Sequence, residues 1–225
     1  MWVKLCGIRD LETARFIASL DVNAIGLNFY QPSARCVDLE TARQIADCLP
    51  ATMASVGVFV NHAPQEVARI AEFCGLSGVQ LHGDETPEVV AEIARLVAPR
   101  FLIRAFRVGE EGLGEVATTL QTYRELGISL FGCLIDARVA GSYGGTGLTA
   151  PWDLLATGWQ TNGWPPLILA GGLTPANVHS ALATVQPWGL DTAGGVESKT
   201  GVKDPDLMIQ FVQQARTANL SKASS

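Results

Sequence analysis

Several familiar signatures are missing from this sequence, and each absence removes a class of function. Its five cysteines (Cys6, Cys36, Cys48, Cys74 and Cys133) show neither C-x-x-C pairing nor a regular framework. Neither a zinc ribbon nor a disulfide scaffold is therefore indicated, and reduced, cytoplasmic surroundings are expected. Histidine is scarce, at three residues, and none has metal-ligand spacing, so no metal centre is expected. No apolar run approaches the ~18 residues of a membrane span. The start has no charged segment followed by an apolar one, so neither a membrane nor a secretory leader is expected. A net charge of −6 and the lack of a Lys/Arg run argue against a nucleic-acid surface. An anionic small substrate stays compatible, because a pocket can be positive on an acidic protein. "CGIRD" stands after the first apolar run where a dinucleotide fold would place G-x-G-x-x-G. The glycine cluster "YGGTGL" (143–148) lacks the GK[ST] ending of a phosphate-binding P-loop and reads as a cover after strand six.

What is present is a regular alternation. With 225 residues, 48% of them apolar and 17% charged, the chain is long enough to bury a large α/β core. Strand-length apolar runs fall at 2–6, 24–28, 54–60, 78–82, 101–106, 130–136, 166–171 and 188–193. Helix-period segments lie between and after them: Leu11–Leu20, Leu39–Leu49, Pro64–Cys74, Pro87–Val97, Leu113–Leu126, Ala150–Ala156, Pro175–Thr184 and Pro205–Ala218. Pro64, Pro87 and Pro175 stand where a first helical turn would begin. Strict alternation implies parallel pairing, which either an open doubly wound sheet or a closed (β/α)8 TIM barrel satisfies. Eight repeats in a chain of this length favour the barrel. No composition break divides it, so one domain is expected over 1–225, with the barrel at about 2–218 and a polar tail at 219–225.

In such a barrel the active site lies at the C-terminal ends of the strands. Those ends carry Cys6, Asn28, Asn61, His82, Arg104 to Arg107, Asp136, Gly171–Gly172 and Gly194–Gly195. Paired glycines after strands seven and eight can bring backbone N–H groups up to a phosphate, or can simply form tight turns. Asp136 ends an apolar strand; a buried carboxyl there titrates higher and can donate a proton near neutrality, although it can equally cap a turn. Lys4 and Cys6 share a strand face, so the cation can favour a thiolate if that face is the lumen; otherwise Cys6 is a packing residue. Arg35, in the loop after strand two, can clamp a carboxylate or remain a solvated charge. His82 can line the site or bond a loop carbonyl.

Taken in order, "VKLCGIRD", "GLNFYQPSARCV", "VGVFVN", "VQLHGDE", "LIDA" with "GGTG", "LAGGLTPANV" and the last-strand "GVE" followed by "GVKD" form a pattern. From about Val3 to Asp206 this pattern resembles the phosphoribosylanthranilate isomerase family of tryptophan biosynthesis. The resemblance implies a (β/α)8 fold and a cofactor-free Amadori rearrangement of N-(5-phosphoribosyl)anthranilate. It implies Cys6 as general base and Asp136 as general acid. Arg35 then holds the anthranilate carboxylate, while Gly171, Gly172, Gly194 and Gly195 hold the phosphate. His82 and Asp191 are further candidate substrate contacts at the mouth. The expected partner is a small phosphorylated molecule, with the chain acting as monomer or homodimer. The sequence departs from the family pattern at Ala34, where proline is usual, and at Ala193 and Gly194, where serines are usual. Two other readings compete: a different sugar-phosphate isomerase or aldolase, and a non-catalytic sensor of a phosphorylated ligand.

Overall fold

The computed structural model describes residues 1–109, 111–137 and 151–222, with no side-chain detail at 137 and 218–222. The "YGGTGL" cluster and the first residue of the sixth predicted helix lie outside these residues. Eight parallel strands close into a barrel in sequence order. They are β1 (Trp2–Cys6), β2 (Ala24–Asn28), β3 (Ala54–Phe59), β4 (Gly78–Leu81), β5 (Phe101–Val108), β6 (Gly132–Ala137), β7 (Leu167–Leu169) and β8 (Gly189–Thr192). The helices are α1 (Leu11–Ala18), α2 (Leu39–Cys48), α3 (Pro64–Phe73), α4 (Pro87–Val97), α5 (Gly114–Glu125), α6 (Trp152–Gly158), α7 (Val178–Val185) and α8 (Pro205–Lys222). The open-sheet alternative is thereby excluded, because β1 pairs with both β2 and β8.

Local chemistry explains most boundaries. The hexapeptide Asp-Leu-Glu-Thr-Ala-Arg occurs twice and opens α1 and α2 in the same way: Asp10 accepts from Thr13 N–H at 2.8 Å and Asp38 from Thr41 N–H at 2.9 Å. Pro64 and Pro87 occupy the first turns of α3 and α4, where a missing N–H costs nothing. Pro175 does not start α7, which begins at Val178. Asn177 binds the chain back on itself there, accepting from Thr174 N–H at 2.8 Å and donating to Gly172 O at 2.9 Å. At the other end, α8 continues to Lys222, past the expected start of the tail. A hairpin that the periodicity did not predict, β9 (Glu197–Lys199) with β10 (Val202–Lys203), follows a 3-10 turn at Gly194–Val196.

Alternation along the strands divides the apolar residues into two sets. Outward positions such as Val3, Leu5, Ile25, Leu27, Leu81 and Ile135 pack against Ile17, Ile45, Ile70 and Ile93 of the helices. Each such side chain, fully buried, contributes roughly 1.5–3 kcal/mol. Inward positions form a smaller cluster of Ala24, Val56, Ile103, Ala105, Leu134, Ile168 and Ala170. Trp2, Phe101, Phe131 and Trp188 stack at the N-terminal end of the lumen, with ring centroids 4.5–5.8 Å apart. The lumen is therefore plugged below and open for chemistry only above. No helix among the described residues is long and apolar enough to cross a membrane.

Candidate active site

A cavity of about 670 Å³ opens at the C-terminal end of the barrel. Cys6, Arg35, His82, Asp136, Gly171, Gly172, Asp191, Gly194 and Gly195, all singled out in the sequence, line this one cavity. Asn28, Tyr30, Val58, Val60 and Gln80 complete its inner wall.

Cys6 is the last residue of β1, and the register sets it beside Gly26 on β2. A Cβ at Gly26 would lie 2.5 Å from the Cys6 sulfur, so the missing side chain makes room for the thiol. Two residues earlier, Lys4 is fully buried and paired in register with Asp191 of β8. Its Nζ donates to Asp191 Oδ1 at 2.6 Å. Burial is the largest single influence on Lys4 and would lower its pKa, but Asp191 and the Cys6 sulfur together outweigh it and hold the ammonium above its ordinary range. Burial pushes the Cys6 thiol up; Lys4 pulls it back, Asp191 pushes it further and Lys203 pulls it down. The Lys4 charge therefore acts in the direction that favours the thiolate, and burial acts more strongly against it.

Asp136 is the next-to-last residue of β6, three strands from β1 round the barrel, and is buried. Its Oδ2 lies 3.6 Å from His82 Nε2. Gln80, buried on the same strand as the approach to His82, places its Nε2 3.1 Å from His82 Nδ1. Gln80 thus holds the ring by its Nδ1 side and leaves Nε2 turned toward Asp136.

The remaining wall is polar and cationic. Arg35 is not a free loop charge: its Nε donates to Glu197 Oε1 at 2.8 Å and its Nη2 to Glu197 Oε2 at 2.7 Å. Lys203 Nζ donates to Glu197 Oε1 and to Ala193 O, both at 2.8 Å, and Gly201 N–H donates to Glu197 Oε2 at 3.1 Å. Burial alone would raise the Glu197 carboxyl; these donors, Arg35 first, outweigh it and hold the group at about 2. Arg35 keeps its Nη1 edge without a partner among the described residues. One carboxylate against two cations leaves this corner net positive.

Glycine loops seven and eight abut this corner. Gly171 and Gly172 take positive φ (79° and 61°), which satisfies the turn reading. A Cβ at Gly195 would overlap the Leu173 carbonyl, so the two loops touch only because that residue is glycine. Thr192 Oγ1 donates to the same Leu173 carbonyl at 2.7 Å. Among the described residues, the N–H groups of Gly171, Gly172, Gly194 and Gly195 donate to no protein acceptor. Four N–H groups without a protein acceptor, beside net positive charge, are donors of the kind an anion can use.

A cavity that joins a thiol, a carboxyl and paired-glycine loops on a (β/α)8 barrel narrows the family. The family model for N-(5'-phosphoribosyl)anthranilate (PRA) isomerase matches residues 3–214. The chain belongs to this family. N-(5'-phosphoribosyl)anthranilate isomerase of Myxococcus xanthus is 39% identical over 225 residues, covering 97% of each chain. Among solved structures, phosphoribosyl anthranilate isomerase from Thermotoga maritima superposes with a TM-score of 0.83 at 34% identity, covering 96% of this chain and 99% of its own. A second solved isomerase, in complex with reduced 1-(o-carboxyphenylamino)-1-deoxyribulose 5-phosphate, has a TM-score of 0.80 at 34% identity, with the same coverage.

Three residues of the site escaped the sequence reading. Glu197 and Lys203 sit in quoted motifs, "GVE" and "GVKD", yet only the hairpin turn at Gly201 brings their charges together. Gln80 looked like one more residue of an apolar strand, and only its inward parity signals a role.

Proposed function

We propose that this chain carries out the Amadori rearrangement of N-(5'-phosphoribosyl)anthranilate to 1-(2-carboxyphenylamino)-1-deoxyribulose 5-phosphate, an isomerisation in tryptophan biosynthesis. The observation that carries the reading is the single cavity in which Cys6 and Asp136 face a common space beside the glycine cradle. The phosphate sits on the N–H groups of Gly171, Gly172, Gly194 and Gly195, near the positive corner of Arg35 and Lys203. The open Nη1 edge of Arg35 takes the anthranilate carboxylate. His82 orients Asp136, and Asp191 borders the sugar.

Asp136 gives its proton to the furanose ring oxygen. The C1–O bond breaks, and the anilino nitrogen supplies the electron pair that makes the iminium. Cys6, as thiolate, takes the proton from C2, whose acidity the iminium raises; those electrons form the C1=C2 bond and neutralise the nitrogen. The enolamine then gains a proton at C1 and loses the C2 hydroxyl proton, giving the ketone. Protons balance, and the substrate's own nitrogen is the electron sink.

Cys6→Ser and Asp136→Asn are each expected to lower turnover by ~10²–10⁴-fold while retaining a product analogue. Unchanged turnover in Cys6→Ser would remove the base assignment. Failure of the wild-type chain to rescue a bacterium lacking this isomerase, despite soluble expression, would remove the functional reading. The aldolase alternative has little support: of the described lysines only Lys199, in the outer hairpin, lines the cavity, while Lys4 is sealed beneath it by Asp191. A binding-only sensor would hold the product analogue and turn nothing over.

A further inference from the structure

The mechanism above uses Cys6 but leaves unexplained the charged pair beneath it. A fully buried lysine in a barrel lumen is rare, because an ammonium removed from water must be compensated. Here the compensation is a single carboxylate, Asp191, bound at 2.6 Å across the β1–β8 seam. Lys4 does not line the cavity, whereas Asp191 and Cys6 do. It therefore cannot touch a ligand there, and any effect it has on substrate passes through its two neighbours.

We propose that Lys4 is a positioning residue for Cys6: an ammonium sealed under the cavity floor and anchored by Asp191, which stabilises the sulfur as thiolate while Asp191 limits that stabilisation. The groups facing Cys6 come from four elements. Lys4 adjoins it on β1, Asp191 on β8 and Lys203 on β10, and Arg35 reaches it from the loop after β2. Glu197 already binds both Arg35 and Lys203, so Lys4 is the cation whose carboxylate partner also borders the sulfur. Burial opposes the thiolate, and Lys4 is the largest charge acting against burial. Asp191 then has two effects. It anchors the Lys4 ammonium beneath the sulfur, and it keeps the thiolate from becoming too stable to accept a proton from carbon. Removing either charge should move the sulfur in opposite directions.

This deepens the base role proposed for Cys6 and rests on it for its catalytic consequence. The test therefore needs a readout without substrate. The full chain is alkylated with iodoacetamide across a pH series, and modification of the Cys6 peptide is quantified by mass spectrometry. In Lys4→Met the midpoint of the alkylation profile should rise by about 1–3 pH units, the usual effect of losing a neighbouring opposite charge. In Asp191→Asn it should fall, since Cys6 becomes the only anion bordering Lys4. If Lys4→Met does not fold, Lys4→Met/Asp191→Asn leaves no lone buried carboxylate; it should titrate at least about 1 unit above Asp191→Asn. The acidic limb of kcat/KM should follow the same displacements.

An unmoved midpoint in folded Lys4→Met, or no difference between the double variant and Asp191→Asn, overturns the role of Lys4. A rise in Asp191→Asn matching that in Lys4→Met overturns the opposing role of Asp191, leaving it a mere anchor. These outcomes are independent of the isomerase reading, which growth rescue and turnover decide.

Discussion

Glu197 offers the most quantitative test, because its four hydrogen bonds close the positive corner of the site. Its carboxyl is displaced from the ordinary 4.5 to about 2, which is roughly 2.5 units and, at ~1.36 kcal/mol each, about 3 kcal/mol. The side chain is only 3% exposed, so water screens little of this. Because the folded-state pKa is depressed, the stabilisation is fully present above the unfolded value near 4.5 and is lost as pH falls towards about 2. Glu197→Gln keeps the shape but removes the charge, leaving Arg35 and Lys203 without their shared anion. Reversible urea unfolding at pH 7 should show a loss of about 3 kcal/mol, within the range for breaking a buried ion pair. The same comparison at pH 3 should show about half that loss, since the wild-type carboxylate is then giving up its advantage. A thermal melt should fall by roughly 6–12 °C at pH 7, at ~2–4 °C per kcal/mol for a chain of this size. A loss below about 1 kcal/mol at pH 7, or one equal at both pH values, would refute the account of Glu197 as the electrostatic hub.

Three other substitutions probe separate features. Gly26→Ala puts a methyl 2.5 Å from the Cys6 sulfur and should cut turnover by about 10-fold or more through displacement of the base, with product-analogue binding by calorimetry little changed. Equal losses in binding and turnover would show instead that the strand pair had shifted. Gly195→Ala drives a methyl into the Leu173 carbonyl, where backbone cannot yield as a side chain can; affinity for inorganic phosphate should drop at least about 10-fold, and retained affinity would separate the loop contact from anion binding. Arg104→Met strands the Glu85 carboxylate, which also receives Asn61 and Gly83 N–H; a destabilisation of about 3–5 kcal/mol in urea is expected, and a neutral result would contradict its burial.

The barrel was legible in the sequence because its determinants are local. Strand-length apolar runs and the first-turn prolines at Pro64 and Pro87 each act within a few residues, and so do the Asp10 and Asp38 caps that the structure adds to them. Element ends failed where a side chain took over the backbone's hydrogen bonds or where short strands carry too little period to read. Pro175 reads as a helix start, yet Asn177 spends that turn bracing Gly172, so α7 starts three residues later. The β9–β10 hairpin was invisible because its strands are three and two residues long and lie against the mouth of the site rather than in a sheet with its own period.

The site was legible only in part, for a geometric reason. Positions at strand ends can be read from counting, and that counting brought Cys6, His82, Asp136 and the paired glycines to one rim. Counting cannot say which charges meet. Lys4 and Asp191 stand 187 residues apart and become neighbours only because the last strand closes on the first. Arg35 and Glu197, 162 residues apart, meet for the same reason, across the same seam region. An arginine read alone looks available to a substrate carboxylate on either edge; with Glu197 in place only the Nη1 edge is open, so substrate must approach from that side. A lysine read alone looks like a nucleophile or a solvated charge; with Asp191 in place it can act only through Cys6. Closure of the barrel thus turns two generic cations into directional ones, and that is why the residues flanking the β1–β8 seam decide what the cavity does with the groups the sequence puts there.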